Sequence, residues 1–169
     1  MNKDKIMFLM CGTAFSGKTT LSKKIAQLAG FSRISFDEIN EKKGYFPGDD
    51  IPQNVWAKTS EEAVLLLEKE MERKNNIIID DTFCFRFLRD HFKSVADQYG
   101  YQTVIIFIDI SEKEIRKRIE ENRISKIRSD IQDTVLENHL NVFEKPGSDE
   151  NVIIYNPEKD DIDSLLNKV

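Results

Sequence analysis

The 169-residue sequence predicts an α/β protein with a five-stranded parallel sheet between two layers of helices, and two observations predict it. Runs rich in Ile, Val and Phe recur at Ile6–Cys11, Arg33–Ser35, Ile77–Asp80, Thr103–Asp109 and Asn151–Tyr155, with helical patterns between them. Parallel strands joined by crossover helices are what such alternation produces. Within the runs, "NIIID" and "TVIIFIDI" are apolar at consecutive positions, which suits strands buried on both faces and not a sheet with one wet side. The length suits one domain with a substantial core, so residues 1–169 are expected to fold as a unit.

The first strand ends abruptly at a glycine. In "CGTAFSGKTTLSKKIAQLA", Gly12, Gly17, Lys18 and Thr19 satisfy G-x-x-x-x-G-K-[ST], with a buried strand before and an amphipathic helix after. Glycines let the backbone turn its N–H groups inward on a phosphate, and the helix N-terminus adds partial positive charge. Gly12, Thr13, Ala14, Phe15, Ser16, Gly17, Lys18, Thr19 and Thr20 are therefore the expected nucleotide cradle. Lys18 would reach the β- and γ-phosphates of ATP as a point charge, and the Thr19 hydroxyl would ligate Mg²⁺.

After the short second strand, "RISFDEIN" places Asp37 on the side of the γ-phosphate. A carboxylate there can take the proton of an acceptor hydroxyl, although Asp37 could also serve only to cap the next helix. The segment "EKKGYFPGDDIPQNVW" follows and would wall the acceptor pocket, with Tyr45, Phe46 and Trp56 able either to stack on a ring or to join the core. Pro52 opens a long helix whose Val55, Thr59, Ala63, Leu66 and Leu67 repeat at helical spacing. "NNIIIDDTF" then supplies the second metal-side group: Asp80, in register with the hydrophobic run, is the expected Mg²⁺ carboxylate and Asp81 the second choice. Arg86 and Arg89, in "CFRFLRD", lie where an acceptor could bind or on an ordinary helix face.

Ser111 with Glu114, and Ser129 with Gln132, predict capping boxes for two further helices. Between Lys113 and Arg128, seven basic residues stand against three acidic ones in a chain of net charge −5. Some of that charge belongs to i, i+4 pairs, and Arg116 and Arg118 cannot share a helix face. Arg118, Arg123 and Arg128 are the expected phosphate contacts, the last two on a lid spanning about residues 116–135. The chain lacks the Asn/Thr-Lys-x-Asp signature of GTPases and is short for motor ATPases, so its size fits the small P-loop kinases.

The remaining composition mostly excludes. An acidic chain does not suit coating long stretches of phosphate backbone. No run approaches the ~18 apolar residues of a membrane span or reads as a secretory signal. The two cysteines, Cys11 and Cys84, are isolated and read as reduced and structural, which points to the cytoplasm. His91 and His139 have no partner at metal-ligand spacing.

Taken together, "MCGTAFSGKTTL", "SFDEIN", "IIIDDTF", "RKRIEENR" and "FEKP…ENVIIYNP" resemble the bacterial P-loop kinase family of AAA-type ATP-binding proteins. These are similar to the 5′-hydroxyl kinase domain of polynucleotide kinases and, more loosely, to zeta-toxin-like and chloramphenicol phosphotransferase enzymes. The resemblance implies the three-layer α/β/α P-loop fold with strand order 2-3-1-4-5, an acceptor-activating Asp37 and an arginine lid. It also implies transfer of the γ-phosphoryl of Mg-ATP to a hydroxyl. The expected acceptor is small, such as a nucleoside, sugar or antibiotic-like molecule. Alternatives are a 5′-hydroxyl oligonucleotide end and a regulatory ATP-binding protein without phosphotransfer; the protein is expected to be a monomer or homodimer. Asn40 stands where relatives often carry an arginine that clamps the acceptor, Phe15 where a glycine is common, and Phe83 where Asn is frequent. Neutral Asn40 disfavours a nucleic-acid acceptor, since it cannot neutralise a phosphate. Asn156 and Pro157, after the last strand, are a plausible place for adenine.

Overall fold

A computed structural model describes residues 5–168. Five strands, β1 (Ile6–Cys11), β2 (Ser32–Ser35), β3 (Ile77–Asp80), β4 (Gln102–Ile108) and β5 (Val152–Tyr155), form one sheet in the order β2-β3-β1-β4-β5. Every neighbouring pair is parallel. The fold class and strand order are those expected. Each strand boundary lies within a residue of the apolar run that marks it, because a run of Ile and Val has nowhere to go except between two helical layers.

The helices are α1 (Lys18–Ala29), α2 (Phe36–Glu41), α3 (Gln53–Glu72), α4 (Arg86–Gln98), α5 (Glu112–Ser125), α6 (Asp133–Val142) and α7 (Ile162–Leu166). Alternate residues of β1 serve different cores. Met7, Leu9 and Cys11 pack with residues of α3 and α4, including Leu67 and Phe92. Ile6, Phe8 and Met10 pack with Leu21 and Ile25 of α1 and Leu165 of α7. Each fully buried side chain of this size contributes about 1.5–3 kcal/mol. No helix among the described residues is long and apolar enough to cross a membrane.

A third, smaller apolar cluster lies apart from the sheet. Ile115 and Ile119 of α5, Ile131 and Leu136 gather around Phe15, which comes from the loop after β1. The lid is thereby seated on that loop. Its helices start differently from one another. Ser111 caps α5 as expected, accepting from the Glu114 N–H at 3.2 Å, while the Glu114 carboxylate turns to Arg118. The box expected at Ser129 does not form: Gln132 occupies the N-cap of α6 without a side-chain bond. The reason is that Asn122 exchanges two hydrogen bonds with the Arg128 backbone, and Asp130 accepts from the Ile131 N–H. The link stays non-helical until Asp133.

Candidate active site

The loop between β1 and α1 has the shape its sequence requires. A Cβ on Gly12 would lie 3.0 Å from Ser16 Oγ and 3.2 Å from the Ile108 carbonyl, closer than the packing allows. Gly17 is the N-cap of α1 at φ 105°, a conformation open to glycine. The first turn of α1 holds no acidic residue, so its partial positive charge stays available to an anion. Lys18 Nζ donates to the Thr13 carbonyl at 2.6 Å, which curls the loop around the ammonium. Burial pushes the Lys18 pKa down, against the carboxylates of Asp80, Asp81 and Asp37. Ser16 is fully buried and its Oγ has no partner among the described residues.

One cavity of ≈ 200 Å³ gathers most of the residues expected to act. Ala14, Phe15, Gly17, Lys18, Thr19, Thr20, Asp37, Asp80, Asp81 and Arg128 all line it. The Asp80 carboxylate accepts from Ser22 Oγ at 2.8 Å and Arg33 Nη2 at 2.6 Å, which fixes its orientation at the end of β3. Asp81 accepts from the Phe83 N–H at 3.2 Å, yet burial pushes its pKa up to about 6. Thr19, Asp80 and Asp81 present one hydroxyl and two carboxylates, hard oxygen donors that suit Mg²⁺. No group of three or more His, Cys, Asp or Glu at metal-holding distance occurs among the described residues.

Capping of α2 falls to Ser35, whose Oγ accepts from the Glu38 N–H at 3.4 Å. Asp37 is therefore relieved of that role, and it makes no hydrogen bond or ion pair among the described residues. Burial and the Asp80 charge raise its pKa, and Lys18 and Arg128 oppose the shift. Across the cavity the lid arginines divide sharply. Arg116 pairs with Glu112 and Glu137. Arg118 pairs with Glu114, and its Nη1 donates to the Phe15 and Ser16 carbonyls at 3.3 and 3.1 Å, bracing the cradle from outside. Arg123 is held by Glu120, Asp130 and Asp133 and does not reach the cavity lining. Arg128 has no carboxylate partner among the described residues; its guanidinium lies 4.0 Å from the centroid of the Phe15 ring. Phe15 holds φ 60° to make this contact, a left-handed conformation that costs a non-glycine residue about 1 kcal/mol or more.

The segment before α3 forms another wall with Pro47, Gly48, Asp49 and Ile51, joined by Trp56 of α3 itself. Of the three aromatics expected there, Trp56 lines the cavity, while Tyr45 and Phe46 do not. A Cβ on Gly48 would come within 2.0 Å of the Asp130 carbonyl, so the lid link rests directly on this wall. Asn40 points elsewhere: it is buried and accepts from Thr59 Oγ1 of α3. Arg86 and Arg89 are also away from the cavity. Arg89 forms a buried pair with Glu150 at 2.7 Å and donates to the Phe83 and Glu144 carbonyls, and Arg86 holds Asp149. Phe83 sits in an aromatic cluster with Phe36 and Phe92. Asn156 closes its own turn with Asp160 and Glu158 and does not line the cavity.

Several cavity residues, Asp49, Asp130 and His139 among them, were not singled out from the sequence. His139 of α6 lines the site beside Val135, one turn away, and its Nε2 is buried without a partner. Burial and the Lys18 charge push its pKa down to about 4, so the imidazole is neutral at pH 7. The i, i+4 spacing of Val135 and His139 was the available signal.

A family profile described as an AAA domain matches residues 7–146. The chain belongs to that family. The match spans the cradle, both carboxylate strands and the lid, so the AAA domain here includes the whole cavity. The protein named "Probable gluconokinase" from Schizosaccharomyces pombe is 24% identical over 156 residues, covering 89% of this chain and 78% of the relative. A solved structure from Chloroflexus aurantiacus superposes with a TM-score of 0.76 at 15% identity, covering 98% and 97% of the two chains. The Mycobacterium tuberculosis APS kinase in complex with AMPPNP and APS gives a TM-score of 0.67 at 11% identity, covering 98% and 95%. These likenesses fix the fold.

Proposed function

We propose that this AAA domain is a kinase that moves the γ-phosphoryl of Mg-ATP to a hydroxyl of a small acceptor. The single observation carrying this reading is that Lys18, the carboxylate of Asp37 and the guanidinium of Arg128, the last two without ion-pair partners among the described residues, line one cavity. Phosphoryl transfer asks for position and charge more than for covalent chemistry. Lys18 and the α1 N-terminus would hold the β- and γ-phosphates, and Arg128 would meet the charge on the transferred group. Thr19 and Asp80 would hold Mg²⁺, which when bound neutralises phosphate charge. Asp37 would orient the acceptor hydroxyl and take its proton, its raised pKa lying closer to working pH than an ordinary carboxylate.

The named relatives, a gluconokinase and an APS kinase, support a small acceptor. So does the cavity, whose ≈ 200 Å³ must take the reacting phosphates as well as the acceptor. A 5′-hydroxyl oligonucleotide end is the weaker reading, because Asn40 is turned into α3 and offers nothing to a neighbouring phosphate.

Incubation with γ-labelled ATP, Mg²⁺ and a library of nucleosides, sugars, antibiotics and short 5′-hydroxyl oligonucleotides tests this. Labelled acceptor is expected, and Asp37→Asn should lower its formation by about 10²-fold with ATP affinity nearly unchanged. Tight ATP binding without any labelled acceptor would point instead to a regulatory nucleotide-binding protein.

A further inference from the structure

We infer that the acceptor carries no net negative charge, and that the best acceptor bears an amine on its hydroxylated ring, as an amino sugar does. This rests on the kinase reading and follows from which charges the cavity has left once nucleotide is bound.

The cavity is lined by five carboxylates, Asp37, Asp49, Asp80, Asp81 and Asp130, and by two basic residues, Lys18 and Arg128; Asp80 is paired with Arg33 and Asp130 with Arg123, which leaves Asp37, Asp49 and Asp81. Lys18 lies inside the phosphate cradle, held at the Thr13 carbonyl. Arg128 is stacked on Phe15 of that same cradle; both cations also act on Asp37, and the kinase reading gives both to the phosphates. His139 is neutral at pH 7 and adds no charge.

Among the described residues no other Lys or Arg lines the cavity. Arg33 is clamped by Asp80 and Glu38. Lys43 is tied to Glu62 and Thr59. Position 40, next to the wall, is a buried asparagine bonded to Thr59. Once the nucleotide phosphates engage Lys18 and Arg128, a carboxylate or phosphate on the acceptor would enter beside Asp37 and Asp49 with no further cation in the lining, and like charges in such a site oppose binding.

An amine finds the reverse. One Asp49 oxygen accepts from the Phe46 N–H at 2.7 Å, which positions the carboxylate while leaving its other oxygen for a ligand. Trp56, together with Pro47 and Ile51, offers an apolar face for a ring, and an indole is the aromatic group that best attracts a cation. This charge class differs from that of gluconate, the acceptor in the name of the relative from Schizosaccharomyces pombe.

Matched acceptors that share a skeleton and differ in charge test this: glucose, glucosamine and gluconate, and separately adenosine, 3′-amino-3′-deoxyadenosine and adenosine 3′-monophosphate. In whichever set is labelled from Mg-ATP, the amine member should exceed the anionic member at least tenfold in kcat/KM. Asp49→Asn should lower the amine-to-neutral ratio about tenfold. An anionic member labelled as well as the others, or an unmoved ratio in Asp49→Asn, would overturn the inference and leave the kinase reading standing. Labelling of no member of any acceptor set while ATP binds would remove the kinase reading, and this inference with it.

Discussion

The cradle after β1 and the lid formed by α5 and α6 face each other across one cavity and supply positive charge in opposite ways. The cradle uses backbone: two glycines, a helix N-terminus and one lysine that curls onto the Thr13 carbonyl. Few side chains matter there, and their places are fixed by covalent spacing. The lid uses side chains, and Arg116, Arg118 and Arg123 each have carboxylate partners while Arg128 has none among the described residues. A count of basic residues thus measures the lid's charge poorly. What matters is which cation the local carboxylates leave over.

The largest expected effect lies on the cradle. Lys18→Ala should reduce acceptor labelling by about 10³-fold, the upper range for removing one electrostatic contact to a transferring group. Activity retained within tenfold would mean the cradle does not hold the phosphates as described. Next comes Arg128→Ala, with an expected loss of about 10²-fold in kcat. The same change at Arg123 should stay within about twofold, since its partners are Glu120, Asp130 and Asp133. Equal losses in the two variants, measured side by side, would break the division drawn within the lid.

A smaller effect should join the two regions. Phe15→Leu keeps an apolar side chain in the lid cluster but removes the ring beneath Arg128. A cation–π contact worth about 0.5–1 kcal/mol corresponds to roughly 2–5-fold in kcat, with melting behaviour largely retained. If kcat does not move, the stack does not position Arg128.

The last effect is on stability and concerns Asp81, where a carboxyl is held at about 6 against an ordinary value of 3.8. The folded protein then binds this proton more tightly than the unfolded chain does. Its contribution is fully present below pH ~4 and is lost as pH rises through about 6. With a chelator present to keep Mg²⁺ out, Asp81→Asn should raise Tm by a few degrees at pH 7.5 and leave it unchanged near pH 4. The opposite order of shifts would show that Asp81 is paired and not merely buried.

What could be read from the sequence follows the same divide. Strand positions, the cradle and Asp80 were legible because apolar runs and covalent spacing determine them directly. Asp37 was legible as a candidate, and only the cap at Ser35 frees its carboxylate from the simpler role. The lid was legible as charge and not as geometry: Arg123 and Arg128 look alike in sequence, and pairing with residues up to ten positions away separates them. Ser129 failed as a cap because Asn122 claims the backbone of the link, a contact that spacing does not announce. Tyr45, Phe46 and Trp56 were equivalent as aromatics, and only Trp56, held in α3 against Phe36, lines the cavity. Arg89 looked like a ligand contact and is instead the partner of Glu150, tying α4 to the loop before β5.

The contact between Gly48 and the Asp130 carbonyl sets how far the two walls can come together. They meet backbone to backbone, at a seam with no room for a methyl group. Any side chain at position 48 would act as a doorstop, holding the lid link off the acceptor wall and admitting water to the place where phosphoryl would pass. Water is itself a hydroxyl acceptor, so a propped seam would turn a transferase toward wasteful ATP hydrolysis. The fidelity of the reaction would then depend on a hydrogen atom at position 48, outside the phosphate cradle and the carboxylates at the end of β3.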